Sequence, residues 1–339
     1  MSWKLIKQLF ILQVILLSSS CDNEVDVIDK VNSKPVIYSL LNINDTVYSV
    51  SLTKTFVGDT NVYVLASNPD NVFYSSANIW LDGLAGDSII WSTQFYLSDL
   101  VKDKGIFPQV SGYLYLSDAV INKISEDGYF FDSYSEIERF RLSIDIEGSM
   151  SVISAIVPVY HPNFFLSPYR VHKISLYGRE DFEVVIASTK GCSYRQLNMR
   201  VRYYEKLIGQ EDLENRELEF IVRKDLQVVD KTSIARIPAD FFFNKLVANM
   251  PIVDNLQYRR FRDFDLLIYS ADEIYDNYTE TYIYTTDLAR PAWSNFENGI
   301  GIFSLIFTGK LEGFTFDQRT IDSLALSPVT QSLKFVRWQ

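Results

Sequence analysis

The chain has 339 residues, and its 32 lysines and arginines face 43 aspartates and glutamates, a formal charge of −11 at neutral pH. An anion of this size does not bind nucleic acid non-specifically, because that binding rests on neutralising phosphates, nor does it settle by charge on an anionic membrane. Hydrophobic residues make up 47% and charged residues 22%, the proportions of a folded globular body, and the length suits two domains better than one.

Residues 1–20 read as an export signal. Lys4 and Lys7 precede an apolar run from Leu9 to Leu17, which ends in Ser18-Ser19-Ser20 directly before Cys21. A cationic start, a short apolar middle and a small-residue end make a secretory signal. The run is too short for a membrane-spanning helix, which needs about 20 residues. A small residue just before a cysteine is what lipoprotein processing requires, so Cys21 is expected to carry a lipid and begin the mature chain. Losing Lys4 and Lys7 leaves 30 cations against 43 acids, a mature charge of −13. Asp22, Glu24 and Asp26 crowd the anchor, and residues 21–33 read as an acidic tether.

A β-sandwich is expected over residues 34–157. Aromatics are high, with 21 Tyr and 23 Phe, and both types favour half-buried sheet faces. Val36 to Leu41 is strand-like, Asn42 to Asp45 supplies turn chemistry, and Val47 to Thr55 alternates with period two, so the pair predicts a hairpin. Ala77, Ile79 and Leu81 alternate before Asp82-Gly83. Ser88 to Phe95 and Tyr113 to Leu116 follow as strands, and Asp118 to Glu126 as a short helix. Phe140, Leu142, Ile144 and Ile146 alternate with polar residues, and Ser151 to Val157 follows. Short strands separated by turns point to an immunoglobulin- or transthyretin-like sandwich.

Pro158, Pro162 and Pro168 punctuate residues 158–168 and predict a junction rather than a continuous element. Residues 169–339 then form a larger β-rich domain with a few short helices. Ile174 to Tyr177, Phe182 to Ile186 and Leu197 to Tyr203 read as strands. A helix is predicted over Pro238 to Met250, with proline in its first turn and Phe242, Leu246 and Val247 on its apolar face. A second, over Ala271 to Thr279, has Ser270 and Glu273 as a capping box. Phe264 to Tyr269 and Thr281 to Thr285 flank it as strands, and Gly301 to Phe307 and Ser332 to Trp338 close the chain. The fold class is therefore mainly β.

The order of these features resembles a family of uncharacterised Bacteroidota lipoproteins. The likeness is carried by Leu17-Ser18-Ser19-Ser20-Cys21, by the hairpin ending at Lys54-Thr55-Phe56, and by Ala77-Asn78-Ile79-Trp80-Leu81. It continues in the Tyr- and Arg-rich stretch from Met199 to Glu205 and in Ser294-Asn295-Phe296-Glu297-Asn298-Gly299-Ile300-Gly301-Ile302-Phe303. The last motif is the most specific. The resemblance implies a two-domain β-rich lipoprotein, often encoded beside TonB-dependent outer-membrane transporters. It also implies that Asp22, Glu24 and Asp26 act as an export tag to the cell surface, where a solvated tether is the plainer reading. It carries over no functional residue. Physically the motif reads as a turn. Asn298-Gly299 readily takes positive φ and Gly301 permits a close backbone approach. Asp45-Thr46-Val47, Asp87-Ser88-Ile89 and Asp322-Ser323-Leu324 resemble O-glycosylation tripeptides of the same phylum.

Catalytic chemistry leaves little trace. With Cys21 lipidated, Cys192 has no disulfide partner and is expected to be an inert, partly buried thiol. The two histidines, His161 and His172, make no His-x-x-x-His pair for zinc, and no Gly-x-Ser-x-Gly elbow, phosphate loop or calcium loop is present. Asp263 and Asp265 read as a solvated strand face. Tyr258-Arg259-Arg260-Phe261-Arg262 combines cations and aromatics that suit a sugar or an acidic ligand, with Tyr258, Arg259, Arg260 and Arg262 as candidate contacts and internal ion pairs as the plainer reading. Tyr275, Tyr278, Tyr282 and Tyr284 form an aromatic run that suits either glycan binding or packing. The preferred reading is a non-catalytic accessory of TonB-dependent nutrient uptake, held in the outer membrane by its lipid and binding a glycan or peptide, with no cofactor and no metal. A cell-surface adhesin is the alternative, and an exported hydrolase the least supported.

Overall fold

β1 (Pro35–Asn42) is apolar on one face and pairs on both sides. β2 (Ser49–Lys54) returns antiparallel to it, the hairpin expected from the alternation, with Pro35 opposite Lys54. On its other side lies the last strand of the chain, β15 (Ile300–Phe316), parallel and in register from Val36–Ile300 to Asn42–Ile306. In the computed structural model the described residues are 33–56, 61–101, 113–120, 136–149, 151–160, 163–168, 173–177, 181–188, 190–224, 226–229, 231–283 and 293–337. Cys21, Asp22, Glu24 and Asp26 lie outside them, as do His161, His172, Tyr284 and most of the helix expected over Asp118 to Glu126.

From β2 the sheet continues through β5 (Tyr115–Ser117), β4 (Ser88–Leu97), β3 (Ala77–Ala85) and β6 (Arg139–Ile146) to β7 (Ile153–Pro158). It then curls back on itself. Ser154 of β7 and Glu297, just before β15, exchange backbone hydrogen bonds at 3.3 and 2.8 Å. The ring encloses a core of Ile37, Leu52, Ile79, Leu142, Ile144, Val157 and Leu305. Phe140, Leu142, Ile144 and Ile146 are all buried, as their alternation predicts. Two short helices, α1 (Val62–Ala66) and α2 (Pro69–Val72), link β2 to β3.

On the other side of β15 the same sheet runs through β14 (Leu256–Ala271) and β11 (Tyr194–Leu207) to β12 (Leu213–Arg223). A second, three-stranded sheet of β13 (Thr232–Ile237), β10 (Phe182–Ala187) and β8 (Phe164–Ser167) shares a second core with it. That core includes Val184, Met199, Val201, Phe242, Phe264, Leu266 and Ile237. β9 (Lys173–Ile174) adds to the end of β15. Helices α3 (Ala239–Asn249) and α5 (Gln318–Leu326) close this core from outside, and α4 (Glu273–Ile283) follows β14. The chain is thus mainly β with a few short helices. Phe303, Leu305 and Phe307 of β15 fill the first core, and Phe314 and Phe316 the second.

Several local expectations are corrected. Within the proline-punctuated residues 158–168, Pro158 ends β7 and Phe164–Ser167 adds a short strand, β8, beyond those expected. The strand expected over Ile174 to Tyr177 pairs only at Lys173–Ile174. Ser270 belongs to β14, and the residue that caps α4 is Asp272, whose Oδ1 accepts from Tyr275 N at 3.0 Å. Asp is as good a cap as Ser, and Ser270 is held by the strand ladder. Thr281 to Ile283 form the last turn of α4 rather than a strand. Pro238 stands at the N-cap of α3, not inside it, and the apolar face holds Phe243 while Val247 is exposed. Near the C-terminus Gln331–Leu333 is a 3-10 turn, and Phe335 makes a single parallel bridge to Arg259.

Candidate functional site

Two adjoining concavities lie between α3 and α5. Both helices are amphipathic. α3 turns Phe242, Phe243 and Leu246 inward, and α5 turns Thr320, Ile321 and Leu324 inward. Asp317 starts α5 by accepting from Thr320 N at 2.8 Å. Thr320 in turn fixes the incoming segment, its hydroxyl accepting from Leu176 N at 2.8 Å, which stands Tyr177 at the mouth of the cleft. The outward edges of the two helices leave an open groove of about 610 Å³, continuous with a second hollow of about 340 Å³. Tyr177, Phe243, Ser323 and Ser327 are common to both.

Its lining mixes chemistry. Arg319 lies over the Tyr177 ring, 5.7 Å from its centroid, so an exposed aromatic is pre-ordered by a cation. Asp322 accepts from Gln318 Nε2 at 3.0 Å and pairs with Arg337 at 3.5 Å. Burial pushes the Asp317 carboxyl up, but the hydrogen bonds of Thr320 and Ser175 and the nearby Arg319 charge outweigh it, and its pKa is lowered overall. Such a groove offers a ring face, a guanidinium, carboxylates and hydroxyls. Among the described residues no group of three or more His, Cys, Asp or Glu side chains is placed to hold a metal ion.

The sequence cluster from Tyr258 to Arg262 does not form one surface, because it lies in β14 and alternate residues point to opposite faces. Arg259 is buried, and so is its partner Glu205. The guanidinium donates to Glu205 Oε1 at 2.8 Å, to Leu333 O at 3.3 Å and to Pro251 O at 2.8 Å. It is committed to fastening the C-terminal segment. Arg260 is exposed, while Arg262 lies over Tyr204 and pairs with Asp263 at 3.1 Å. Tyr258 is half-buried.

Asp265 is not on a solvated face: it is fully buried. Arg202 grips it with two parallel hydrogen bonds of 2.7 and 2.6 Å and also binds Asp263, while Gly313 N and Lys310 approach Asp265 from β15. The pairing is part of a ladder of polar side chains at every second position of β11. Tyr194 donates to Gln196, Gln196 to Asn198, and Asn198 and Tyr269 to Glu219, which Arg200 also binds. Burial and the Glu219 bond push the Tyr269 phenol up to about 12. These groups satisfy one another, and the ladder reads as a pin between strands. The alternation of β11 predicts which residues share this face. Their partners on β12, β14 and β15 are set by register and leave no sequence signal.

Of the tyrosine run, Tyr275 and Tyr278 pack against other rings. Tyr275 meets Tyr194 edge-on at 5.0 Å, and Tyr278 sits between Tyr38 and Trp293 at 6.3 Å from each. Cys192 is buried, as expected of an inert thiol. Its Sγ lies 3.0 Å from Asn163 Nδ2, and burial raises its pKa against the lowering pull of Arg195 and of the hydrogen bonds around it. Of the cleft residues, only Asp322 and Ser323 stood out in the sequence, and for another reason. The Asp317 cap, Ile321 and Leu324 at helical spacing and Pro328 beyond are the start and stop signals that mark α5.

No family model matches the chain, and no curated protein matches it. Among solved structures the chain is similar to the C-terminal globular domain of an oligosaccharyltransferase from Pyrococcus abyssi, at 9% identity and a TM-score of 0.20. That alignment covers 63% of this chain and 42% of the other, less than half of the archaeal chain. A score so low transfers neither fold nor activity.

Proposed function

We propose that this protein is an outer-membrane lipoprotein, anchored through Cys21 and exposed at the cell surface, that binds a glycan or peptide in the α3–α5 cleft as a non-catalytic accessory of TonB-dependent uptake. The observation that carries the binding role is the cleft itself. Tyr177 is held under Arg319 at the rim of an open groove whose walls add Phe243, Asp240, Asp322 and Ser323. An aromatic face beside fixed polar groups is how shallow sites orient ligands. The transporter association rests on the resemblance carried by the Ser294–Phe303 motif.

Two measurements test this reading. Tagged protein at native level, extracted from outer membranes in mild detergent, should recover a TonB-dependent transporter in stoichiometric amount. Recovery of the lipoprotein alone in several detergents would sink the accessory role. Against a panel of oligosaccharides and peptides, Tyr177→Ala and Arg319→Ala should each weaken any hit about tenfold or more, the loss of one well-made contact. Hits that ignore both substitutions would move the site elsewhere. Adhesion is favoured by one separate feature: the outward face of the three-stranded sheet presents exposed Phe164, Leu166 and Ile234.

A further inference from the structure

The strands of the first ring run between two ends, and the strand pairings say which residues share each end. Pro35 lies opposite Lys54, and Thr55 N donates to Lys34 O at 2.8 Å, so the chain enters the ring where β2 leaves it. β3 starts at the same end, because Ala77 pairs with Ile146, the last residue of β6. β4 finishes there, with Leu97 opposite Tyr115 and Ser98 N bonded to Leu114 O. β7 begins there, with Ile153 opposite Ile144. Helices α1 and α2 bridge β2 to β3 across this end, and Lys54 lies over the Tyr74 ring at 5.4 Å.

This end is apolar. Val62, Tyr63 and Val64 of α1 are 65%, 64% and 62% exposed, and Tyr96, Leu97, Leu100, Val101 and Val152 are each at least half exposed. At the opposite end only the turns near Val47 and Ile89-Ile90 show large exposed apolar groups among the described residues. A monomeric protein rarely leaves so many apolar side chains together in water. The covering surface is indicated by the tether. Cys21 precedes Lys34 by 13 residues, a stretch of roughly 45 Å at most, and it leads out of the apolar end. A lipid at Cys21 would hold the start of β1, and with it this end, within that distance of the bilayer. Tyr63 and Tyr96 are of the type enriched at headgroup level. Exposed Asp70, Asp99, Asp145 and Glu147 share this end and keep the contact shallow.

We infer that the end of the first ring formed by α1, the β4 terminus and the β7 start is a membrane-contact surface that rests in the lipid headgroup region. The inference depends on the lipid-anchor reading for orientation but on the exposed side chains for contact. The test uses the full-length chain in native membranes and in vesicles containing brominated lipids. An environment-sensitive fluorophore is placed by Val64→Cys, and in a separate protein by Ile89→Cys at the far end. At position 64 the emission should shift to the blue and be quenched about twofold or more by the brominated chains, as for side chains sunk to the headgroup–acyl boundary. At position 89 it should stay water-like. Equal, water-like emission at both sites overturns the inference, and so does a blue shift at 64 without bromine quenching, which would mark a protein partner or a second copy as the cover. Palmitate labelling of the same samples reports separately on Cys21. If no label enters, the anchor reading fails, and the fluorescent chain is added directly to vesicles: quenching there upholds the surface, and its absence overturns it.

Discussion

Gly301 joins the two halves of the protein, and replacing it by alanine should loosen the first core selectively. Its φ is +131°, and a Cβ built on it would stand 1.8 Å from Ile37 O and 2.8 Å from Ile37 C, where ordinary contact begins at 3.4 Å. The obstacle is backbone, so no side chain can turn away. β1 and β15 would have to part by roughly 1.5 Å, more than a hydrogen bond tolerates. The φ itself costs an alanine about 1–3 kcal/mol, and the loss of one or two ladder hydrogen bonds adds about 1 kcal/mol each. Gly301→Ala should therefore destabilise by about 2–5 kcal/mol, a large share of a typical domain's total. The companion Gly313→Ala separates the two causes: its φ is +76° with nothing within 4 Å, so it should cost only the left-handed strain, about 1–2 kcal/mol. Urea unfolding followed by tryptophan fluorescence gives the magnitudes. Amide exchange gives the place, with protection lost in β1 and β2 and kept in β10 and β13. A Gly301→Ala protein within about 0.5 kcal/mol of the parent, or one whose exchange rises equally in both sheets, would refute the reasoning.

Arg259→Met should cost about 3–5 kcal/mol by leaving buried Glu205 with only the half-exposed Arg216, and adding Glu205→Gln should recover most of it in the same urea assay. A single substitution without effect would show that the buried pair is not holding the C-terminal segment. Asp317→Ala should cost about 1 kcal/mol at pH 7. Because the folded carboxyl has a lowered pKa, its contribution is present above the ordinary aspartate range and is lost as pH falls through the folded value. The gap between parent and variant in urea midpoint should accordingly shrink on acidification, and a gap that grows would contradict the cap. Cys192 should react with a thiol reagent at least ~100-fold more slowly in the native protein than in urea, with Cys192→Ser assigning the signal; fast native labelling at this position would contradict its burial.

Much of the fold was legible in period-two patterns. The hairpin of β1 and β2, the alternation from Phe140 to Ile146 and that of β11 were all readable because a strand with one face buried must alternate. The terminal motif forms the expected turn, with positive φ at Asn298 and Gly301 but not at Gly299. Asn298 takes φ +61° and donates to Val152 O at 3.1 Å, Asn295 clasps both backbone groups of Phe303, and Gly301 allows the close approach. These are local properties, and local properties are written in neighbouring residues. The candidate cleft was not readable, because Tyr177, Phe243 and Arg319 come from distant segments and meet only once α5 docks beside α3.

Burial of charge shows the division most clearly. Spacing put Asp263 and Asp265 on a strand among apolar neighbours, read as a solvated face, and offered Arg259 only as a cation for a ligand or an internal ion pair. Neither pattern could say which face turns inward where the strand is covered on both sides, nor that Arg202 on β11 would stand opposite Asp263 and reach diagonally to Asp265. Strand register decides that, and register is set by contacts across as many as 266 positions, as between Asn42 and Thr308. What the sequence by itself determined was each segment's preference, since backbone geometry and hydrophobic period act within a few residues. Only the tertiary structure decided that the last strand would complete the first ring and that buried charges would find their partners. Those outcomes depend on burying both sheet faces at once, and no segment carries that condition alone.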